Sequence, residues 1–151
     1  MKKHRKALTL ESFLPYRLSL LSNTVSSNIA TTYQDKFGIS MAQWRIMAVL
    51  AEYPDTSADE VCQRTHIEKS VVSRALARLL DRHLLIREFD KDDKRRSILR
   101  LSETGLSVYD EVMPMSEAFE KKLLAALSKT EKESLSVLLD KLQAKAEVIS
   151  V

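Results

Sequence analysis

Glycine and proline are scarce in this 151-residue chain, which has only Gly38 and Gly105, and Pro15, Pro54 and Pro114. Helix breakers are therefore few, and a mostly helical chain is expected. The scarcity also excludes chemistry. Dinucleotide- and nucleotide-binding loops need clustered glycines so that backbone N–H groups can approach a phosphate, and no such cluster exists here. The one cysteine, Cys62, has no partner for an intramolecular disulfide, so nothing points to an oxidising compartment. No apolar run reaches the roughly 18 residues of a membrane span. The basic start, Met1 to Lys6, is not followed by the apolar stretch of a signal peptide. The expected location is the cytoplasm, with no membrane partner. His4, His66 and His83 are scattered without metal-ligand spacing, so neither a metal nor a cofactor is expected. Cys62 and His66 stand four residues apart, as a nucleophile and its base can on one helix face. No third group orients them and no oxyanion hole is in view, so the chain does not read as an enzyme.

What is present is a folded, charged chain: 44% hydrophobic and 30% charged residues, enough for one domain with helical extensions. The net charge of +3 says little, but its distribution says more. Residues 69–100 carry ten Lys/Arg against five Asp/Glu, and residues 1–6 carry +4, which leaves −6 for the remainder. Positive charge concentrated on an otherwise mildly acidic chain is the footprint of a polyanion binder. The plainer alternative, a solvated charged face, has to be weighed against motifs.

Apolar residues at Leu14, Leu18, Leu21, Val25, Ile29, Tyr33 and Phe37 lie on one stripe of a helix over residues 12–37, with Ser12 as N-cap, Pro15 in its first turn and Gly38 at its end. A stripe that long needs an equally long cover. Three capping boxes predict further helix starts: Ser40–Gln43, Ser57–Glu60 and Thr130–Glu133. The first opens a helix to about Tyr53, the second a short one to about Thr65, and the third the last helix. Another helix over residues 69–82 turns Val72, Ala75, Leu76 and Leu79 inward. Segments 84–89 and 97–101, rich in branched and aromatic residues around a charged loop over 90–96, form an antiparallel hairpin. Ser102 then starts a helix to about Ser128, bent at Pro114.

Two short helices separated by a turn around His66–Glu68, then a hairpin with a basic tip, make a helix-turn-helix with a wing. The major groove admits one α-helix, and the second helix of such a pair supplies it. Opposite its core side, this helix carries Ser70, Val71, Ser73, Arg74, Ala77, Arg78 and Asp81: two arginines among small residues, so that the backbone can approach the bases. Arginine's planar fork matches the O6/N7 acceptors of guanine, and short hydroxyls suit phosphates or base edges. Lys69, Lys91, Lys94 and Arg96 are placed to bind phosphates.

The chain here resembles the multiple antibiotic resistance regulator (MarR) family. Asp93-Lys-Arg95 followed by Leu101-Ser-Glu-Thr-Gly105 matches the family's wing and its exit, Gly38-Ile-Ser40 through Gln43-Trp to Ile46 its entry into the second helix, and Ser70-Val-Val-Ser73-Arg74 to Leu79 its recognition helix. The likeness runs over residues 13–145 in order and spacing. It implies a mainly α fold with a small β-hairpin, divided into a dimerisation helix with a basic tail (1–37), a winged helix-turn-helix DNA-binding domain (38–101) and C-terminal dimerisation helices (102–151). It implies a homodimeric transcriptional regulator, a repressor on a pseudo-palindromic operator, with Arg95 entering the minor groove and Asp93 orienting it or a neighbouring arginine. It also implies release by a small aromatic or anionic effector, for which Tyr16, Trp44, Met47 and, by residue type, Met41 are candidates, although residues of these types on such helices commonly serve as core. Three positions depart from the pattern. Ser102 replaces Thr, His83 stands where glycine is usual and puts a left-handed turn there in doubt, and Phe89 replaces the wing's proline. Cys62 reads as a small core residue, with a peroxide-sensing thiol as the alternative the family offers. The reading from another class is a winged-helix protein–protein module whose basic surface meets an acidic partner.

Overall fold

A computed structural model describes residues 6–149; most of the basic N-terminal cluster, with His4, lies outside them. Element boundaries follow from caps. Helix α1 (Leu14–Phe37) ends where Gly38 adopts φ 63°, its N–H donating to the Gln34 carbonyl. Helix α2 (Met41–Glu52) opens on the Ser40 box. Ser40 Oγ accepts from the Gln43 N–H, and the Gln43 side chain accepts from the Ser40 N–H. That second bond gives the buried Gln43 a partner. Helix α3 (Ala58–Thr65) is capped by Ser57, whose Oγ accepts from the Glu60 N–H. Helix α4 (Lys69–Asp81), strands β1 (Leu85–Phe89) and β2 (Ser97–Leu101), and helices α5 (Glu103–Leu124) and α6 (Lys129–Val148) complete the order.

Three of these boundaries differ from the sequence reading. Ser12 does not cap α1. It sits in a 3₁₀ turn, Leu10–Ser12, and its hydroxyl is spent donating to the Thr9 carbonyl, so Phe13 precedes the helix without a side-chain cap. Helix α5 stops at Leu124 rather than near residue 128. The last helix is opened not by Thr130 but by Ser128, which forms a complete box with Glu131. Ser128/Glu131 and Thr130/Glu133 satisfy the same pattern two residues apart, and the earlier one is used.

The chain divides into a larger unit ending at Met113 and a smaller one beginning at Pro114, a proline inside α5. Proline lacks the N–H that would donate one turn back, so the backbone ladder is interrupted at the point where the units part. In the larger unit Tyr33, Ile39, Ile46, Met47, Val61, Leu79, Leu99 and Val112 are wholly buried. Strands β1 and β2 pair antiparallel, with Leu85 opposite Leu101 and Phe89 opposite Ser97, and Thr56 adds a bridge to Leu99 on the other side of β2. The α1 stripe changes character along its length. Leu14, Leu18 and Leu21 are exposed, Val25 and Ile29 are half-buried, and Tyr33 is buried. In the smaller unit Leu135, Leu138, Leu142 and Ile149 of the last helical segment remain exposed.

Candidate nucleic-acid interface

Helices α3 and α4 are joined by a turn in which His66 takes φ 52°. Thr65 Oγ1 donates to the Val61 carbonyl and accepts from the Ile67 N–H, which ties the turn to α3. Helix α4 buries Val72, Ala75, Leu76 and Leu79, so its remaining face is fixed by the 3.6-residue period. Lys69, Ser70, Ser73, Arg74 and Arg78 are exposed on that face, and Val71 is half-buried. Ser70 Oγ donates to Glu68 Oε1 at 2.9 Å. Arg74 and Arg78 have no ion-pair partner among the described residues. They line a groove of about 310 Å³ with Ser40, Ala42, Gln43 and Val71. The first turn of α2, whose backbone N–H groups give a helix N-terminus its partial positive charge, therefore borders the arginine face. The Ser40 box marked that helix start in the sequence, but nothing local placed it beside Arg74.

The wing is held at its base and shaped at its tip. Arg100 on β2 donates to Asp55 at 3.0 Å and to Glu88, spanning from the turn before α3 to β1, and Asp55 itself has φ 59°. Both carboxylates raise the Arg100 pKa, the Asp55 hydrogen bond most. At the tip the Asp90 N–H donates to the Arg96 carbonyl and the Arg96 N–H to the Asp93 carbonyl. Asp93 Oδ1 accepts from the Arg95 N–H at 3.0 Å, and Asp90 Oδ1 accepts from the Asp92 N–H. Asp93 thus fixes the backbone at Arg95 rather than a guanidinium. Lys91, Lys94, Arg95 and Arg96 are all exposed in the wing loop, as is Lys69 in the first turn of α4.

The wing's exit explains the Leu-Ser-Glu-Thr-Gly run. Ser102 Oγ donates to the His83 carbonyl at 2.6 Å and accepts from the Gly105 N–H, while the Ser102 N–H donates to the Leu84 carbonyl. A Cβ on Gly105 would lie 2.1 Å from that Leu84 oxygen. His83 adopts φ 58°, so the left-handed turn that its side chain put in doubt is kept without glycine.

Of the effector candidates, Tyr16, Trp44 and Met47 are not brought together in one chain. Met47 is wholly buried in the core. Trp44 is half-buried and stacks between Tyr33 (5.7 Å between centroids) and Tyr109 (5.5 Å). Tyr16 stands 17 residues before Tyr33 on α1, roughly 25 Å away at the helical rise, in an open apolar groove of about 790 Å³ with Leu14, Leu18 and Leu21. The Tyr33 hydroxyl is buried without a hydrogen-bond partner, and burial raises its pKa against an opposing pull from Arg45. Cys62 is half-buried and free. Among the described residues no group of three or more His, Cys, Asp or Glu is placed to hold a metal ion, and no helix is long and apolar enough to cross a membrane.

Residues 37–96, which hold α2 to α4 and β1, match the model of the MarR family. The transcriptional regulator HosA of Escherichia coli O127:H6 is 27% identical over 104 residues, covering 69% of this chain and 77% of its own. A MarR/EmrR family transcriptional regulator from Acinetobacter sp. ADP1 superposes with a TM-score of 0.87 at 28% identity, over 94% of this chain and all of that one. The MepR protein of Staphylococcus aureus, solved as a DNA complex, shares the fold at 20% identity with a TM-score of 0.80, over 88% of this chain and 98% of that one. These relatives are regulators, not enzymes. Its helix-turn-helix and the first strand and tip of its wing match the family model, and its fold follows that of a MarR/EmrR family regulator over nearly the whole chain, so the protein is similar to MarR-family transcriptional regulators.

Proposed function

We propose that the chain is a homodimeric repressor that reads a pseudo-palindromic operator. The observation that carries the reading is the face of α4: Arg74 and Arg78, exposed and without ion-pair partners, among Ser70, Val71 and Ser73. An unpaired guanidinium keeps both edges of its fork for a guanine. Arg95, held at the wing tip by the Asp93 turn, enters the minor groove. Lys69, Lys91, Lys94 and Arg96 meet phosphates, as do the first N–H groups of α2 beside the arginine groove. The dimer follows from apolar faces left uncovered in each unit, Leu14, Leu18 and Leu21 on α1 and Leu135, Leu138 and Leu142 on α6. A second copy of the chain supplies matching apolar faces, with residues 1–37 and 102–151 as the dimerisation segments and 38–101 as the DNA-binding domain.

Release is by a small aromatic or anionic ligand near Trp44, where the buried Tyr33 hydroxyl has no partner. The ligand has only to favour a dimer whose recognition helices are wrongly spaced for the operator. Footprinting of DNA flanking the protein's own gene tests the whole reading. Protection with dyad symmetry and half-sites about 10 base pairs apart is expected, because a two-fold dimer must place both recognition helices on one DNA face. Binding that is indifferent to sequence would overturn it. Titration of aromatic carboxylates against Trp44 fluorescence, with and without operator, tests the switch. A true effector binds less tightly when operator is present, by the factor by which it weakens DNA binding.

A further inference from the structure

Arg82, the residue after the last turn of the recognition helix, reaches across the fold to the end of α1. One of its terminal nitrogens, Nη2, donates to the Phe37 carbonyl at 2.6 Å, and the other, Nη1, to the Gly38 carbonyl at 3.2 Å. These carbonyls belong to the C-terminus of a 24-residue helix, where backbone oxygens lack intrahelical partners and the helix dipole is negative. The guanidinium fork supplies two N–H groups to two such oxygens at once. Arg82 is itself well anchored. Its N–H donates to the Arg78 carbonyl, and the following residue, His83, is fixed in a left-handed turn whose carbonyl is held by Ser102.

At the other end of this link, the last turns of α1 are embedded through Ala30 and Tyr33, and Lys36 pairs with Glu111 at 2.7 Å. The first half of α1 is exposed and carries the uncovered apolar stripe of Leu14, Leu18 and Leu21. Apart from the Arg82 bonds, α1 and α4 make little direct contact, since α4 packs mainly on α2, α3 and β1. Arg82 is thus a direct polar strut between the helix that carries the uncovered apolar stripe and the helix that carries Arg74 and Arg78. We propose that Arg82 is a positioning residue. It fixes the orientation of the recognition helix relative to α1, and so sets the operator spacing that the protein accepts, without itself contacting DNA.

The part about operator spacing rests on the dimeric, DNA-reading function above, whereas the strut itself does not, and the experiment separates them. R82A and R82K are compared with the parent protein for melting temperature, oligomeric state and affinity for operator and random DNA across a salt series. The affinities are repeated on operators with one base pair added to or removed from the space between half-sites. Lysine keeps the charge, and with it any phosphate contact, but cannot offer the planar fork to both carbonyls. The expected result for both variants is a folded protein whose operator affinity falls by roughly tenfold, while affinity for random DNA and the salt slope stay unchanged and the altered spacings are penalised less. Equal losses on both DNAs with a shallower salt slope for R82A, and full recovery in R82K, would make Arg82 a phosphate ligand and overturn the proposal.

A DNA-free measurement tests the strut alone. Spin labels are placed at the exposed positions Thr31 and Ala77, with Cys62 replaced by Ser and the labelled chain diluted with unlabelled chain so that only intrachain distances are read. The α1–α4 distance distribution should broaden clearly in R82A and R82K, and an unchanged width would end the idea whatever the DNA results. If the parent protein shows no sequence preference while the distribution still broadens, the functional reading fails and the strut stands. If R82A does not fold, R82K decides both parts.

Discussion

Arg74, Arg78 and Lys94 are all exposed cations, yet under the proposed function their surroundings suit them to different work. The two arginines stand on a helix face kept narrow by Ser70, Ser73 and Ala77, so their forks can reach base edges. Lys94 is a point charge in the wing loop and suits a phosphate. Replacing Arg74 or Arg78 by alanine should therefore change which operator is preferred, costing about 1–3 kcal/mol at the base it reads. Replacing Lys94 should weaken all DNA alike and lower the salt slope by about 0.9. Affinities for an operator library at two salt concentrations separate the two outcomes, and equal losses on every sequence for an arginine variant would assign that arginine to the backbone. Two other residues carry backbone demands. Gly105 has no room for a methyl group, the Leu84 carbonyl lying 2.1 Å from where its Cβ would be. Gly105→Ala should lose about 3 kcal/mol in urea unfolding, at the upper end of overpacking penalties because the obstruction is backbone. His83 has the opposite problem, a side chain on a residue at φ 58°. His83→Gly should raise stability by about 0.5–1 kcal/mol, since relief of left-handed strain exceeds the added freedom of the unfolded chain. A lower melting temperature for that variant would mean that the imidazole contributes packing that outweighs the strain.

Elements were legible from sequence where their signals are local and unique. The Ser40 and Ser57 caps, the buried stripe of α4 and both strands are set by contacts within a few residues, and each lies within a residue or so of where the pattern puts it. The last helix was misread because two boxes overlap. That ambiguity can be tested, since Ser128→Ala should cost about 1 kcal/mol of stability and Thr130→Ala, inside the first turn, only a few tenths. Reversed magnitudes would put the helix start at Thr130. Ser128 also lowers the Glu131 pKa by donating to its carboxylate. The folded-state value is thus below the unfolded one, so this contribution is present above the ordinary glutamate range and is lost as pH falls through the folded pKa. What the sequence could not show is what distant residues do to one another. Nothing near Arg82 points to Phe37, nothing near Arg100 points to Asp55, and the adjacency of the α2 first turn to Arg74 and Arg78 exists only once three helices have packed. The positive φ at His83 was hidden for a different reason. A non-glycine residue there is uncommon, and the Ser102–His83 bond that steadies the turn joins residues 19 apart in sequence.

For the molecule as a whole, the clearest excess is apolar surface with nothing over it. Leu18 and Leu21 on α1 are 42% and 58% exposed, and Leu138 and Leu142 on α6 are 55% and 43% exposed. In an isolated chain a charge at such a position is cheap, because the side chain already meets water. In a dimer that buries these faces, a carboxylate there has to be desolvated without a partner, which costs several kcal/mol. Leu21→Asp and Leu138→Asp therefore test assembly without testing the fold. Circular dichroism should show helix content close to that of the parent protein, while sedimentation shows a shift from dimer to monomer. Operator affinity should fall far more than affinity for random DNA, because a monomer reads one half-site and loses the gain from linking two. The two variants also report on the faces separately, and one that stays dimeric removes its own helix from the interface while leaving the other in place. If both stay dimeric with operator binding intact, neither face is the interface, and the stripe on α1 has to be covered by something other than a second copy of this chain.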